Sequence, residues 1–129
     1  YEDVGMTPEQ HGLQSAEELT KAGVHEHLIQ AIKAHNSKNG TKRARLIDHA
    51  LYAADPVTGF IVAAALVRPD KKLAGVELDS LVKKFKEKSF AKGASREMMM
   101  VCEEFGLPLK DFLALSLGAM QAIAERIGL

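Results

Sequence analysis

The chain has 129 residues, of which 47% are apolar, and its 17 basic residues balance its 17 acidic residues. This length supports one domain with a hydrophobic core and is short for two. The balanced charge, with an isoelectric point near 7.2, excludes the dense basic surface by which proteins hold a nucleic acid backbone, so no nucleic acid partner is expected.

The first part of the chain predicts two helices. Thr7-Pro8-Glu9-Gln10 combines a capping residue, a proline suited to the first helical turn and a glutamine that can close a capping box. Gly23 ends this segment, so the first helix is expected at residues 8–22. The second is expected at residues 25–35, where apolar residues recur at helical spacing before the polar run NSKNG.

The middle of the chain predicts a third helix at residues 42–54 and a fourth at residues 56–67. Asp55-Pro56 is expected to break the chain between them, because aspartate accepts the free amides of a helix start and proline suits its first turn. The fourth helix is apolar nearly all round, which predicts a central position in the core.

The last part predicts three more helical segments. An amphipathic helix with a lysine-rich outer face is expected at residues 78–86, Ser95 is expected to cap a segment that ends at Gly106, and Pro108 is expected to start a last helix that ends near Gly128. No alternation typical of strands and no repeat is visible. The sequence therefore predicts an all-α helical bundle of about six to seven helices, as a single domain over residues 1–129.

The cellular location is expected to be the cytoplasm. Cys102 is the one cysteine, so it has no internal disulfide partner and suits a reducing compartment, as a small core residue. The longest apolar run, residues 60–67, has eight residues where a membrane span needs about 20, and no basic-then-apolar leader opens the chain. No membrane partner is expected.

Of the five histidines, three are interpreted as structural or solvent-exposed. His25 and His27 stand one residue apart at a helix start, so they point in different directions and are expected to face solvent. His49 lies beside apolar residues of the third helix, where a hydrogen-bonded structural histidine is the better interpretation.

His11, His35 and Asp55 are different, because each belongs to a different predicted helix and lies at or near its end. Two nitrogen ligands and a carboxylate suit a divalent metal ion. They are 24 and 20 residues apart, however, and such spacings do not bring side chains together within one helix or turn. Each residue also has a simpler explanation: capping for Asp55, a polar helix end for His35 and an exposed first turn for His11.

The order of four segments gives a stronger indication. HGLQSAEEL, AIKAHN, HALYAADPVTGFIVAAALVRPDKKL and LVKKFKEKSFAKG together closely resemble the bacterial predicted hydrolases of the HD superfamily, over essentially the whole chain. The resemblance implies an all-helical, metal-dependent phosphohydrolase named for an adjacent His-Asp pair. It also implies that Asp55 matches the distant aspartate of the metal set, and that His11 and His35 match histidines that bind a second metal or the substrate phosphate.

One part of the family pattern is missing. The sequence contains no His-Asp dipeptide, and Asp48-His49 has the reverse order. In the relatives, the helices that carry the first histidine and the pair precede a stretch like Tyr1-Glu2. The chain is therefore expected to be the C-terminal two-thirds of such a protein, and a fragment of this kind is expected to cover its exposed apolar surface by forming a homo-oligomer.

The predicted function is a metal-dependent phosphohydrolase that acts on a small phosphorylated compound or nucleotide, incomplete in this chain. The cofactor is expected to be a divalent ion: manganese, magnesium, iron, nickel or zinc. Arg68, Lys71 and Lys72 follow the apolar helix and are candidates to bind the substrate phosphate; the alternative is a solvated cluster at a helix C-terminus. Two non-catalytic functions stay open, a degenerate HD domain that binds a ligand or partner and a helical adaptor that uses residues 107–129.

Overall fold

Helices make up the regular secondary structure of residues 7–129, the part of the chain that this computed structural model describes. No strand occurs in that part, so the prediction of an all-α fold is confirmed. Its six α-helices are α1 (Leu13–Lys21), α2 (Glu26–Ala34), α3 (Leu46–Leu66), α4 (Leu78–Lys86), α5 (Arg96–Met100) and α6 (Leu109–Ala122). The predicted junction at Tyr1-Glu2 lies outside the described residues.

The described residues pack as two units that divide between residues 52 and 53, and α3 begins in the first and ends in the second. In the first unit α1 packs against α2, and in the second α4 packs against α6. The single domain over residues 1–129 stays a prediction.

Helix α1 begins five residues later than predicted. The predicted contact of the capping box does form, because the backbone N–H of Thr7 donates to Oε1 of Gln10 over 3.1 Å. It closes a turn rather than a helix, since Gly12 has a φ of 83°, a left-handed conformation that a right-handed helix does not accept in its interior. The predicted helix start at residue 8 is therefore wrong.

Helix α2 agrees with its prediction within a residue at each end. His25 caps its N-terminus, where Nδ1 accepts a hydrogen bond from the backbone N–H of His27 over 3.2 Å. His35 is the C-terminal cap, with its own N–H donating to the carbonyl of Ala31. The polar run after it forms a short 3₁₀ turn, Ser37–Asn39.

Helix α3 is one continuous helix with Pro56 inside it, so the predicted break at Asp55-Pro56 is wrong. Proline lacks an N–H, which leaves the carbonyl of Tyr52 without its usual helical partner. The burial of apolar side chains before and after the proline stabilises the helix by more than the missing hydrogen bond costs. The buried residues are Ala53, Val57, Phe60 and Ile61, each at most 1% exposed.

The carboxylate that caps α3 is Asp48, not Asp55. Oδ2 of Asp48 accepts hydrogen bonds from the backbone N–H groups of Ala44 and Arg45, over 2.9 and 3.1 Å. This is the acidic half of a capping box, in which a side chain in the first turn reaches back to the amides before the helix. Asp48 is fully buried.

The predicted roles of Ser95, Gly106 and Pro108 are confirmed, but the predicted end of the last helix is wrong. Oγ of Ser95 accepts from the N–H of Met98 over 3.2 Å at the start of α5. Gly106, with a φ of 81°, ends the 3₁₀ turn that follows. Helix α6 starts after Pro108 but ends at Ala122, and the chain reaches Gly128 through a separate 3₁₀ turn, Ala124–Ile127.

The loop between α4 and α5 is organised by Arg96. Its guanidinium carbon lies 4.6 Å from the centroid of the Phe60 ring, a cation–π distance. Burial lowers the pKa of Arg96 from its usual value. The five N–H groups of the guanidinium lie within hydrogen-bond distance of six backbone carbonyls, those of Lys84, Phe85, Glu87, Phe90, Ala91 and Ala94.

Helix α3 is long and apolar enough to span a membrane. It has 21 residues, and the mean hydropathy of its most apolar window is 1.3, with 33% of that window buried. A core helix of a water-soluble protein meets the same criteria.

Candidate functional site

Two of the predicted site residues, His11 and His35, lie in contact. Their Nε2 atoms are 2.8 Å apart, and their ring centroids are 4.8 Å apart with the rings inclined at 68°. His11 lies on the turn before α1, and His35 caps the end of α2 and is 9% exposed. The packing of α1 on α2 thus joins two side chains that are 24 residues apart in the chain.

The hydrogen bonds define which ring nitrogen of His35 carries the proton. Nδ1 of His35 is bonded to the carbonyl oxygen of Ile32. Because a carbonyl only accepts, this nitrogen must carry the hydrogen, and in the neutral ring Nε2 then has the free lone pair. In the neutral pair His11 therefore donates through its own Nε2–H.

Gly12 makes room for this arrangement. A Cβ atom at this position would lie 2.8 Å from the carbonyl oxygen of Ile32 and 3.1 Å from Cε1 of His35. The first distance is too short for a carbon atom, so a larger residue would displace the turn from the end of α2. The glycine is needed for its space as well as for its left-handed backbone.

Two asparagines after His35 hold the turn that carries His11. Nδ2 of Asn36 donates to the carbonyls of Pro8 and His11, over 2.6 and 3.0 Å. Nδ2 of Asn39 donates to the carbonyl of His11 over 3.4 Å and to that of Lys33 over 2.8 Å. Sequence reasoning treated this run only as a helix end; the signal it missed is that asparagine side chains bond readily to nearby backbone.

Asp55 does not lie at a helix end. It is an exposed residue inside α3, in the unit of residues 53–129, and its carbonyl accepts from Oγ1 of Thr58 over 2.9 Å. Among residues 7–129 no group of three or more histidine, cysteine or acidic residues is arranged to hold a metal ion. The histidine pair is therefore the assembled part of the predicted set.

The cationic cluster after α3 contains an internal ion pair. Nε and Nη2 of Arg68 donate to the two carboxylate oxygens of Asp70, each over 3.0 Å. This bond raises the pKa of Arg68 and lowers the pKa of Asp70. Lys71 and Lys72 are exposed. A phosphate would have to compete with Asp70 for the guanidinium fork, and the role of Arg68, Lys71 and Lys72 in substrate binding stays a prediction.

A second polar feature lies in the loop between α2 and α3. This cleft, called the loop cleft below, has a volume of about 410 Å³. Sequence reasoning missed it, although TKRAR places three cationic residues within five positions. Its lining residues are Ser37, Gly40, Thr41, Lys42, Arg43 and His49.

Comparisons with known proteins find no similarity: no family model, no curated protein and no solved structure matches the chain. Function must therefore be argued from the residues themselves.

Proposed function

We propose that this chain contributes His11 and His35 as two nitrogen ligands to the metal site of an HD-type phosphohydrolase, acting on a small phosphorylated compound or nucleotide. The observation that carries the proposal is the 2.8 Å distance between their Nε2 atoms, together with the bond from Nδ1 of His35 to the Ile32 carbonyl. Metal-binding histidines usually donate their other N–H to a carbonyl or carboxylate, which fixes the ring and its tautomer.

The distance between the rings is compatible with a shared ion. Two nitrogens bound to one tetrahedral zinc ion at 2.0–2.1 Å lie about 3.3 Å apart. The pair would therefore have to open by about 0.5 Å, which a small rotation of the partly exposed His11 ring provides. Binding also removes the hydrogen between the two Nε2 atoms, so the His11 ring must change to the tautomer that carries its hydrogen on Nδ1, as His35 already does.

The residues around the pair have positioning roles in this proposal. The Ile32 carbonyl orients the His35 ring, and Asn36 holds the backbone of His11 against the end of α2. A bound divalent ion would supply a nucleophilic water of lowered pKa and offset the charge of the phosphoryl group. Imidazole nitrogens favour zinc, nickel or iron over magnesium, so zinc is the first ion to test.

The resemblance to HD hydrolases also assigns Asp55 the role of a carboxylate metal ligand in the complete enzyme. The His-Asp pair of that superfamily does not occur in the 129 residues. Two histidines alone make an open site, which binds an ion weakly and leaves positions for water and substrate.

The alternative is a helical ligand-binding or interaction domain without catalysis. It is favoured by the described residues, 7–129, among which no group of three or more histidine, cysteine or acidic residues is arranged to hold a metal ion. In that case the histidine pair either binds an ion without turnover or serves as a partly buried hydrogen bond that joins the turn before α1 to the end of α2.

Zinc binding and hydrolysis together test both functions. We expect zinc to bind the chain with a stoichiometry of one, and His35→Ala to weaken it by at least about tenfold, since a direct ligand is lost. His27→Ala is the matched control, because it removes an exposed histidine of the same helix.

Hydrolysis of p-nitrophenyl phosphate then separates the two functions. Metal-dependent turnover that is lost in both His35→Ala and Asp55→Ala supports the phosphohydrolase. Zinc binding without turnover supports the alternative. Zinc binding that is equally strong in His35→Ala contradicts the proposed metal role of the pair.

A further inference from the structure

The loop cleft has the composition of an anion site. Its side chains provide a guanidinium, an ammonium group, two hydroxyls and an imidazole, and among residues 7–129 no carboxylate lines it. Its volume of about 410 Å³ lies at the small end of the range for small-molecule pockets.

Arg43 is held in place within this cleft. Its guanidinium carbon lies 3.8 Å from the centroid of the Tyr52 ring, so the flat group stacks on the aromatic face. Nε of Arg43 is buried, and no atom of residues 7–129 accepts a hydrogen bond from it. A partly desolvated cation is unfavourable without a counter-charge, and an anion at the outer Nη nitrogens of the guanidinium would supply one.

The backbone of the loop is fixed by its own hydrogen bonds. Oδ1 of Asn39 accepts from the N–H of Thr41 over 2.9 Å. Oδ2 of Asp48, the buried acid nearest to the cleft in sequence, accepts from the N–H groups of Ala44 and Arg45. The loop is thus ordered, while that carboxylate oxygen is bonded to backbone amides rather than to Arg43.

We propose that the loop cleft binds the phosphate group of a small phosphorylated compound. The fork of Arg43 provides parallel N–H donors for two phosphate oxygens, Lys42 adds a point charge, and the hydroxyls of Ser37 and Thr41 donate to the remaining oxygen. A phosphate with three acceptor oxygens uses this set of donors more fully than a carboxylate with two. The small volume and the net charge of zero for the whole chain favour a small ligand over a polyanion.

This proposal does not depend on the metal site, since it uses none of His11, His35 or Asp55. It is tested with inorganic phosphate in the presence of EDTA, by calorimetry at constant ionic strength. We expect saturable binding with one site, and Arg43→Gln should weaken it by about tenfold or more, since a bidentate charged contact is lost.

Arg45→Gln is the matched control. Arg45 is exposed, lies two residues away and is not part of the cleft lining, and its substitution changes the net charge by the same amount. It should change phosphate binding by no more than about twofold, as expected for an exposed charge that makes no direct contact. Lys42→Gln changes an exposed side chain, so it should weaken phosphate binding without changing the thermal unfolding.

Three results would overturn the proposal. Equal weakening by Arg43→Gln and Arg45→Gln would mean diffuse attraction rather than a site. An absence of saturable phosphate binding would exclude it directly. Binding of an RNA oligonucleotide that phosphate does not displace would assign the cleft to a polyanion. His35→Ala should leave phosphate binding unchanged, so a failure of the metal site is distinguishable from a failure of the loop cleft.

Discussion

Nε2 of His11 and Nε2 of His35 lie within hydrogen-bond distance, at 2.8 Å, although 24 residues separate them in the chain. One ring lies on a turn and the other at the end of α2, so the contact depends on how α1 packs on α2. The Ile32 carbonyl fixes the tautomer of His35, which leaves one lone pair and one N–H between the rings.

The first prediction concerns the space at Gly12. Gly12→Ala should lower the free energy of unfolding by about 2–4 kcal/mol, because a left-handed alanine costs about 1–2 kcal/mol and its Cβ would also press on the Ile32 carbonyl. Urea denaturation measures this loss.

Gly23→Ala separates the two contributions to this loss. Gly23 has a similar φ, 76°, and a Cβ atom added there would meet no other atom within 4 Å. Gly23→Ala should therefore lower the free energy of unfolding only by the backbone contribution, about 1–2 kcal/mol. Equal losses for the two variants would mean that the contact between Gly12 and the end of α2 does not constrain the turn.

The second prediction concerns Asp55. Because this residue is exposed inside a continuous helix, Asp55→Ala should leave helicity unchanged and raise the free energy of unfolding by up to about 0.6 kcal/mol, from the better helix propensity of alanine. Circular dichroism with urea denaturation measures both.

Ser95→Ala is the comparison for Asp55→Ala, since Ser95 is an N-terminal cap in the same unit. Ser95→Ala should lower the free energy of unfolding by about 1 kcal/mol. If Asp55→Ala instead lost as much as Ser95→Ala, the chain would have a helix start at Asp55 after all.

The third prediction concerns the loop between α4 and α5. Arg96→Lys should lower the free energy of unfolding by about 2–3 kcal/mol, because an ammonium group cannot reproduce the fork of hydrogen bonds to the surrounding carbonyls. The loop should also become more sensitive to trypsin. Arg126→Lys, an exposed site, should change stability by less than about 0.5 kcal/mol; a similarly small effect at residue 96 would contradict a structural role for its guanidinium.

The fourth prediction concerns pH. Burial raises the pKa of the Cys102 thiol, so the folded chain keeps the proton at a pH where the unfolded chain has lost it. The contribution of this thiol to stability is complete below the pKa of the unfolded thiol, about 8.5, and is lost as the pH rises toward the pKa in the folded chain.

Cys102→Ala isolates this contribution, since other groups titrate in the same range. Its free energy of unfolding should fall less steeply between pH 8 and 9.5 than that of the parent chain, by at most about 1.4 kcal/mol per pH unit. The native thiol should also react slowly with Ellman's reagent until urea is added. If the free energy of unfolding of both chains had the same pH dependence, and the native thiol reacted fast with Ellman's reagent, the thiol would be accessible and this prediction would be wrong.

The predictable parts of the fold are those with local causes. Ser95, Gly106 and Pro108 act within one turn of their own positions, and each marks a segment end in the structure. Pro56 is a local signal that failed, because the buried side chains on both sides favour a continuous helix more strongly than the proline opposes it.

The candidate site was predictable in its residue types but not in its arrangement. His11 and His35 were identified, and their contact depends on the packing of two helices, which spacing does not reveal. The ion pair of Arg68 could not be predicted either. Asp70 is two residues away in the sequence, but only the folded structure shows that the two groups form a bidentate pair. Prediction of the loop cleft would have required both the TKRAR pattern and the position of the Tyr52 ring under Arg43, and the sequence shows only the first.

The most direct measurement is a zinc titration of the chain labelled with ¹⁵N at histidine, followed through the ring nitrogens by NMR. We expect the Nε2 signals of His11 and His35 to change together at one equivalent, while Nδ1 of His35 keeps its hydrogen on the Ile32 carbonyl. Changes confined to His25 and His27, with the His11 and His35 signals unmoved, would contradict the assignment of this pair as metal ligands.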